Sequence, residues 1–361
     1  MAFPKNFTEL IGVRLPIIQA PMAGSSDAEL VIAVSESGGL GSLPCAMLNA
    51  AKVRSAYRHI RQRTTQPVNL KFFCHRVPLV DHERERRWQE LLASYYTELG
   101  IDPSAPLALP NRKPFDEAMC DVVSELKPAV VSFHFGLPSK QLLDRVRAAG
   151  PRIISSATTV EEARWLEGEG CDAIISQGLE AGGHRGMFLA KDVACQVGTI
   201  ALTPQIVDAV KVPVIAAGGI ADARGIVAAF ALGASAVQIG TAYLRCPESR
   251  TSAVHRRALE HAREDQTAVT NVITGRPARG IITRLIQELG PVNPLAPEFP
   301  RAADAMAALR AKAEQQGSGD FSPLWSGLDA GASGEGLPQH QFCYAGTCSA
   351  ADYRGIGDCC G

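Results

Sequence analysis

Residues 177–186 (QGLEAGGHRG) combine residue types that could transfer a proton beside a bound ligand. They follow the apolar run at 173–176. Gly182 and Gly183 lack a Cβ, so backbone N–H groups could approach a ligand there, and the His184 imidazole can exchange a proton near neutral pH. The pattern predicts a strand that ends in an active-site loop. The alternative is a glycine-rich turn that carries a solvated histidine.

Two further glycine turns follow apolar runs later in the chain. Gly218 and Gly219 come after the run at 212–216 and precede a helix-like segment. Gly240 and Thr241 come directly after Gln238 and Ile239, which close the run at 236–239. Backbone N–H groups at such turns, beside the positive end of a helix, form a common phosphate-binding arrangement. The pair of turns therefore predicts that the ligand carries a phosphate.

The residues after the first apolar run could accept a flat ring against the backbone; they are Met22, Ala23 and Gly24. Asn69, in the third run, could bond the polar edge of such a ring, and these features together favour a flavin. Lys71 could face an anionic ring, or it could be a structural ion-pair partner.

Eight short runs rich in Val and Ile could position these groups as strands buried on both faces. They cover residues 16–22, 39–43, 68–73, 129–135, 152–156, 173–176, 212–216 and 236–239. Helical patterns at 27–37 and 222–232 lie in the gaps between runs. Eight strands that alternate with helices predict an α/β protein with a (β/α)8 TIM barrel, whose ligands lie at the carboxyl ends of the strands.

The domain prediction follows from this alternation. Residues 1–246 form the barrel, with an insert at about 76–126 that begins with the charged run DHERERRW, expected to present a solvated face. Residues 247–320 form a helical cap that carries substrate contacts. Residues 321–361 return to the barrel and end in a cysteine-rich tail.

Composition narrows the classes of partner and compartment. The 36 Lys and Arg against 37 Asp and Glu give a formal net charge of −1, which does not favour nucleic acid. No secretory signal pattern and no run of about 18 apolar residues occurs, so we expect a cytoplasmic protein without membrane contact. Of ten cysteines, four crowd the C-terminal tail at 343, 348, 359 and 360. Their spacing favours exposed thiols over a metal site, so no metal is predicted.

Five successive motifs resemble those of the nitronate monooxygenase family, formerly called 2-nitropropane dioxygenases. They are PIIQAPM (16–22), VSFHFG (131–136), SSAT (155–158), QGLEAGGH (177–184) and AGGIAD (217–222), within a match from about residue 12 to 245. The VSFHFG element points to the class I branch rather than to NADH:quinone reductases or flavin-dependent enoyl-ACP reductases.

The resemblance implies an FMN enzyme that oxidises alkyl nitronates with O2 to a carbonyl compound and nitrite, by one-electron transfer to the flavin. His184 would accept the α-proton of a neutral nitroalkane or donate a hydrogen bond to the nitronate, and His134 would bind the nitro group. The residues expected to hold FMN or lie near its ring are Met22, Ala23, Gly24, Asn69, Gln177, Gly182, Gly183, Gly218, Gly219, Gln238, Ile239, Gly240 and Thr241.

Several alternatives stay open at this point. Leu328 stands where the family commonly has glutamine after a Leu-Trp-Ser-Gly element, and Arg185 could attract an anionic substrate or pair with Glu180. The same barrel could serve an FMN-dependent NAD(P)H oxidoreductase, a non-catalytic flavin-binding module, or a sensor that uses the C-terminal thiols. The sequence also leaves a homodimer open.

Overall fold

The computed structural model describes residues 5–102, 113–190 and 192–331. Eight parallel strands form its central sheet, namely β1 Ile17–Gln19, β2 Gly41–Pro44, β3 Val68–Phe73, β4 Val130–His134, β5 Arg152–Ala157, β6 Ala173–Gln177, β8 Val214–Ala217 and β9 Ala236–Ile239. They lie side by side in the order β1-β9-β8-β6-β5-β4-β3-β2. A parallel bridge between Ile18 and Leu40 joins the two outer strands and closes the sheet into a barrel. This confirms the predicted fold.

The helices that surround the barrel start and end at recognisable signals. Asp27 accepts a hydrogen bond from the backbone N–H of Glu29 and begins α2, and Asp222 begins α9 in the same way. The helices are α1 Lys5–Ile11, α2 Ala28–Glu36, α3 Ala50–Arg63, α4 His82–Glu98, α5 Glu117–Leu126, α6 Lys140–Ala149, α7 Val160–Gly168, α8 Thr199–Ala209, α9 Ala223–Ala231, α10 Ala253–His261, α11 Arg284–Leu289 and α12 Ala302–Gln315.

Apolar side chains fill the barrel on both sides of its wall. Ile18, Val130 and Ile215 belong to the cluster inside the barrel, and α1 closes that cluster with Phe7 and Ile11. Outward-facing strand residues pack against the surrounding helices in a second, larger cluster. The buried interior leaves only the carboxyl ends of the strands for ligand contacts.

Helix α4 of the predicted insert packs against the region after the barrel. Trp88, Leu92 and Tyr95 share one buried cluster with Leu309 of α12 and Leu285 of α11. The opposite face of α4 carries exposed ion pairs between Arg and Glu, as the charged run predicts. The insert and the cap therefore share one hydrophobic core, while the domain boundaries drawn from the sequence stay a prediction.

A small antiparallel sheet connects the cap to the barrel. It contains β7 (Gly183–His184), β10 (Thr267–Thr270) and β11 (Ala278–Ile281), with β11 in the middle. His184 pairs with Ala278 across this sheet. The predicted active-site loop is thus held by the cap as well as by the barrel.

Among the helices of the described residues, none combines the length and the apolar character that a membrane span requires. The four cysteines of the C-terminal tail lie outside the described residues.

Candidate active site

A cavity of about 280 Å³ opens at the carboxyl ends of the barrel strands. All but two of the residues predicted from the sequence line it. Those that do are Met22, Ala23, Gly24, His134, Gln177, Gly182, Gly183, His184, Gly218, Gly219, Gln238, Gly240 and Thr241. Residues from distant parts of the sequence therefore meet at one site, at the end of the barrel where TIM-barrel proteins bind their ligands.

Asn69 and Ile239 are the two predicted residues that do not line the cavity. Asn69 lies one layer deeper in the barrel, where its Nδ2 donates to Ser42 Oγ at 3.1 Å. Its buried Oδ1 has no hydrogen-bond partner among the described residues. Ile239 packs in the core, and its carbonyl accepts from the Ala20 N–H at 2.7 Å.

Lys71 is one of two residues of β3 that reach the cavity, the other being Phe73. Residues 69 and 71 face the same side of the strand, and Lys71 lies one step closer to the carboxyl end. Its side chain is buried, and burial lowers the pKa of the ammonium to about 8. No carboxylate among the described residues pairs with it. The ion pair that the sequence leaves open as an alternative is not found among the described residues, so no carboxylate in them compensates the Lys71 charge.

One end of the cavity is formed by the glycine turns after β8 and β9. The backbone N–H groups of Gly218, Gly219 and Gly240 have no acceptor within the described part of the chain. Gly218 has a φ of 122°, and a Cβ there would come within 2.9 Å of the Ala181 nitrogen, so only glycine fits without strain. These unpaired donors are suited to an anion such as phosphate.

The start of helix α9 does not offer the free N–H groups that the sequence predicts for anion binding. The Asp222 carboxylate accepts from the N–H groups of Arg224 and Gly225, which satisfies the first turn of that helix from within. The Asp222 charge also offsets the positive helix end. An anion at these turns would therefore contact the loop N–H groups and not the helix.

Asp329 lies beside the same glycine turns. It lines the cavity together with Thr241, whose hydroxyl accepts from the Gly327 N–H at 3.0 Å. Burial raises the pKa of the Asp329 carboxyl to about 6. An anion bound at the turns would thus lie next to the Asp329 carboxylate, which is ionised at neutral pH.

His184 stands at the opposite end of the cavity and is held through both backbone and ring. Its carbonyl oxygen accepts from His134 Nε2 at 3.1 Å and from Gln177 Nε2 at 3.0 Å. Its own Nε2 lies 3.0 Å from Thr274 Oγ1. The rings of Phe299 and Trp325 lie 5.2 and 5.4 Å from the His184 ring, centroid to centroid. The histidine is therefore fixed by contacts and is not the solvated side chain of the alternative interpretation.

Both ring nitrogens of His134 have partners inside the protein. Because a carbonyl only accepts, Nε2 must carry the proton that is donated to His184, while Nδ1 lies 3.1 Å from Ser156 Oγ. Burial, and then the charge of Lys71, hold the pKa of His134 well below its usual range. The ring is neutral, and it would have to give up one of these bonds to bind a nitro group.

Phe135 supplies the wall between the two histidines and the cap. It has a φ of 70°, a conformation that bulky residues adopt rarely and mostly at functional sites. Its ring centroid lies 4.5 Å from that of His134, and Arg276 stacks over its other side with Cζ 3.9 Å from the centroid. This backbone conformation packs the ring against both histidines, behind the residues that line the cavity.

Arg185 serves neither of the roles expected for it. It is fully buried, and its guanidinium donates to the carbonyls of Gln177 and Gly178 and to Gln196 Oε1, at 2.7 to 3.1 Å. The Glu180 carboxylate bonds Thr199 instead. Arg185 therefore braces the loop that carries His184 and is not exposed to substrate.

Glu162 braces the far side of the same loop. This buried carboxylate accepts from the N–H and hydroxyl of Thr158 and from the N–H groups of Phe188, Leu189 and Ala190. A carboxylate that accepts this many bonds can be buried without a direct ion pair.

Sequence reasoning missed several residues that shape the site, namely Thr274, Arg276, Phe299, Trp325 and Asp329. All lie after residue 246, in segments without strand periodicity. The Thr-Gly-Arg-Pro turn at 274–277 is the one local signal that could have marked a loop near the barrel mouth.

Comparisons with known proteins agree with this geometry. A family model described as "Nitronate monooxygenase" matches residues 5–343. The chain is 43% identical over 334 residues to the nitronate monooxygenase of Pseudomonas aeruginosa, which covers 91% of this chain and 95% of that protein.

The chain is also similar in fold and sequence to solved structures of two enzymes. The nitroalkane oxidase of Streptomyces ansochromogenes is 35% identical with a TM-score of 0.81, over 90% of this chain and 92% of that one. FabK from Thermotoga maritima is less similar, at 29% identity and a TM-score of 0.65, over 90% of this chain and 89% of that one.

Proposed function

The chain belongs to the nitronate monooxygenase family and is a nitronate-oxidising enzyme, and we propose that it does so with FMN bound along the described cavity. In this proposal an alkyl nitronate and O2 are converted to a carbonyl compound and nitrite. One observation carries it: unpaired N–H donors at one end of the cavity are continuous with a buried cation and a fixed histidine at the other.

The residues present are compatible with FMN. The N–H groups of Gly218, Gly219 and Gly240 would hold the phosphate, because they are donors without an acceptor. The backbone at 22–24 and the side chains of Gln177 and Gln238 line the stretch between the two ends and would contact the ring. Asn69 could contribute only if its unpaired Oδ1 became accessible from the cavity.

FMN would supply the redox chemistry, which no side chain of the site can perform. Lys71 would favour a negative charge beside it, since its ammonium is buried without a carboxylate. The rings of Phe299 and Trp325, which line the cavity, would limit the access of water to the reacting atoms, and Phe135 packs behind Phe299. Substrate is thus attracted by charge and enclosed by apolar surface.

His184 would act as the base when a neutral nitroalkane is the substrate. A nitronate is already deprotonated, so it needs a positioned donor but no base. His134 would hold the carbonyl of His184, and we keep its direct bond to the nitro group as a prediction that requires rearrangement of its present partners.

An anaerobic mixing experiment tests the proposal. The purified protein, loaded with FMN, is mixed with the nitronate of 2-nitropropane and, separately, with NADH, while the visible spectrum of the cofactor is followed. We expect nitronate alone to bleach the oxidised cofactor. Bleaching by NADH alone would instead favour a reductase related in activity to FabK, and binding without bleaching by either would favour a non-catalytic flavin module.

A substitution tests the base. H184N should lose most of the activity on neutral 2-nitropropane and keep far more of the activity on its nitronate. H82N is the matched control, because the His82 side chain is 90% exposed and lies on α4. Full nitroalkane turnover by H184N would exclude His184 as the base.

The partners in this proposal are a small-molecule substrate and O2. The cytoplasmic location, the lack of nucleic-acid binding and a homodimer stay predictions from the sequence.

A further inference from the structure

We propose that Thr274 is a positioning residue that fixes the tautomer and the orientation of the His184 ring. The proposal rests on the role of His184 as a base given above. It adds a residue from the cap, 90 positions away in the sequence, to the machinery that prepares this base.

The contact is short and buried. Thr274 is 2% exposed, lines the cavity, and has its Oγ1 3.0 Å from His184 Nε2. The same hydroxyl lies 3.4 Å from the carbonyl oxygen of Arg276. Thr274 thus stands between a ring nitrogen and a backbone acceptor.

The hydrogen-bonding capacities of these groups determine where the protons lie. The Arg276 carbonyl can only accept, so the Thr274 hydroxyl satisfies both contacts at once only when its single proton points towards that carbonyl. In that arrangement the hydroxyl lone pairs face His184, and Nε2 is the nitrogen that carries the proton. The proton on Nε2 leaves the ring lone pair on Nδ1. The arrangement therefore selects the tautomer whose basic atom is Nδ1.

The turn that presents Thr274 is rigid. Gly275 donates its N–H to the Asn271 carbonyl at 2.8 Å, and Asn271 exchanges hydrogen bonds with Asn293. A Cβ on Gly275 would lie 2.0 Å from the Pro297 carbonyl oxygen, which shows how closely the turn packs. Val272 and Ile273 are buried in the core of the cap. The hydroxyl is therefore held in place independently of the ring that it contacts.

The contact between Thr274 and His184 should affect the neutral nitroalkane and its nitronate differently. A neutral nitroalkane must lose its α-proton to the base, so the tautomer and the orientation of the ring affect its turnover. A nitronate has lost that proton already. Loss of the Thr274 hydroxyl should thus be selective for the neutral substrate.

The test compares T274V, which keeps the shape but removes the hydroxyl, with T274S, which keeps the hydroxyl. We expect T274V to lower kcat/KM for 2-nitropropane about tenfold, the effect of one lost hydrogen bond that orients the base. The value for the nitronate should stay within about twofold, and T274S should restore the nitroalkane rate. FMN titration of each variant checks that the cofactor site is intact.

A spectroscopic measurement is independent of turnover. Protein labelled with 15N-histidine reports which ring nitrogen carries the proton, and comparison with H184N assigns the resonances of His184. We expect the Nε2-protonated form in the wild type and a mixture of tautomers in T274V.

Three outcomes would overturn the proposal: an equal loss on both substrates in T274V, an unchanged nitroalkane rate in T274V, or an Nδ1-protonated ring in the wild type. Failure of the base itself is distinguishable, because H184N would then keep full nitroalkane activity whatever T274V does.

Discussion

Replacement of Lys71 by methionine should stabilise the cofactor-free protein and weaken its binding of anions. Lys71 is buried in the cavity wall without a carboxylate partner among the described residues. A charge in that position costs free energy until an anion enters the site. Methionine has a similar length and no charge, so K71M removes both the cost and the attraction.

The size of both effects follows from the lowered pKa. Burial lowers the pKa of Lys71 from 10.5 to about 8, which corresponds to roughly 3 kcal/mol at neutral pH. Lys71 binds its proton more tightly in the unfolded chain than in the folded protein. The loss of folding free energy is therefore fully present below pH 8 and disappears as the pH rises towards 10.5. An anion that restored the ordinary pKa would gain a factor of roughly 300 in affinity. Water in the open cavity reduces this, and we expect a loss of about 10- to 100-fold in K71M.

Calorimetry and steady-state kinetics measure the two effects. The Tm of cofactor-free K71M at pH 7 should exceed that of the wild type by a few degrees, and the difference should shrink above pH 8. The KM for a nitronate should rise with cofactor saturating. K140M is the control, because the Lys140 side chain is 81% exposed and its ion-pair partner among the described residues is Asp144, on the surface of α6. A lower Tm combined with an unchanged nitronate KM in K71M would refute the reasoning.

Three further predictions concern the groups around the cavity. The pKa of Asp329 is raised to about 6, so its carboxyl is neutral below that pH and ionised above it. In equilibrium dialysis, D329N should bind FMN no more tightly than the wild type at pH 5 but about tenfold more tightly at pH 8, because the repelling charge is lost. A ratio of the two affinities that does not change with pH would contradict this. R185K should lower the free energy of unfolding by about 3 kcal/mol in chemical denaturation, since buried carbonyls lose their donor; a stable R185K with a raised nitronate KM would instead indicate a substrate contact. E162Q replaces an acceptor oxygen by a donor, and should accelerate amide hydrogen exchange at Phe188 and Leu189 while exchange in α12 stays unchanged; equal acceleration in both regions would mean global destabilisation.

The barrel could be predicted because its signals are local. Each strand is a short Val- and Ile-rich run, and the helices between them begin at caps such as Asp27 and end near glycine, so neither depends on distant residues. The glycine turns were equally visible, since the positive φ of Gly218 and Gly219 excludes most other residues.

The substrate end could not be predicted because it depends on pairing across the chain. β7 has only two residues, Gly183 and His184, and no periodicity, and its partner β11 begins at Ala278. Thr274 is one polar residue in a turn, and nothing in its neighbours indicates that it faces His184. The role of Arg185 could not be predicted for the same reason, because its burial depends on Gln196 and on carbonyls of its own loop that fold back over it.

Different parts of the chain therefore form the two ends of the cavity, the end at the glycine turns and the end at His184. The anion end is formed by turns at the ends of β8 and β9, and the segment at 327–329 packs against it. The histidine end is fixed from three directions: β4 and β6 hold the His184 carbonyl through His134 and Gln177, and the cap holds its ring through Thr274. Because β11 also pairs with β7, a shift of the cap would move His184, the proposed base, relative to the FMN that we propose the barrel to hold. We expect substitutions in the cap to change the discrimination between nitroalkane and nitronate while cofactor affinity stays constant, since the two properties are carried by different elements of the fold.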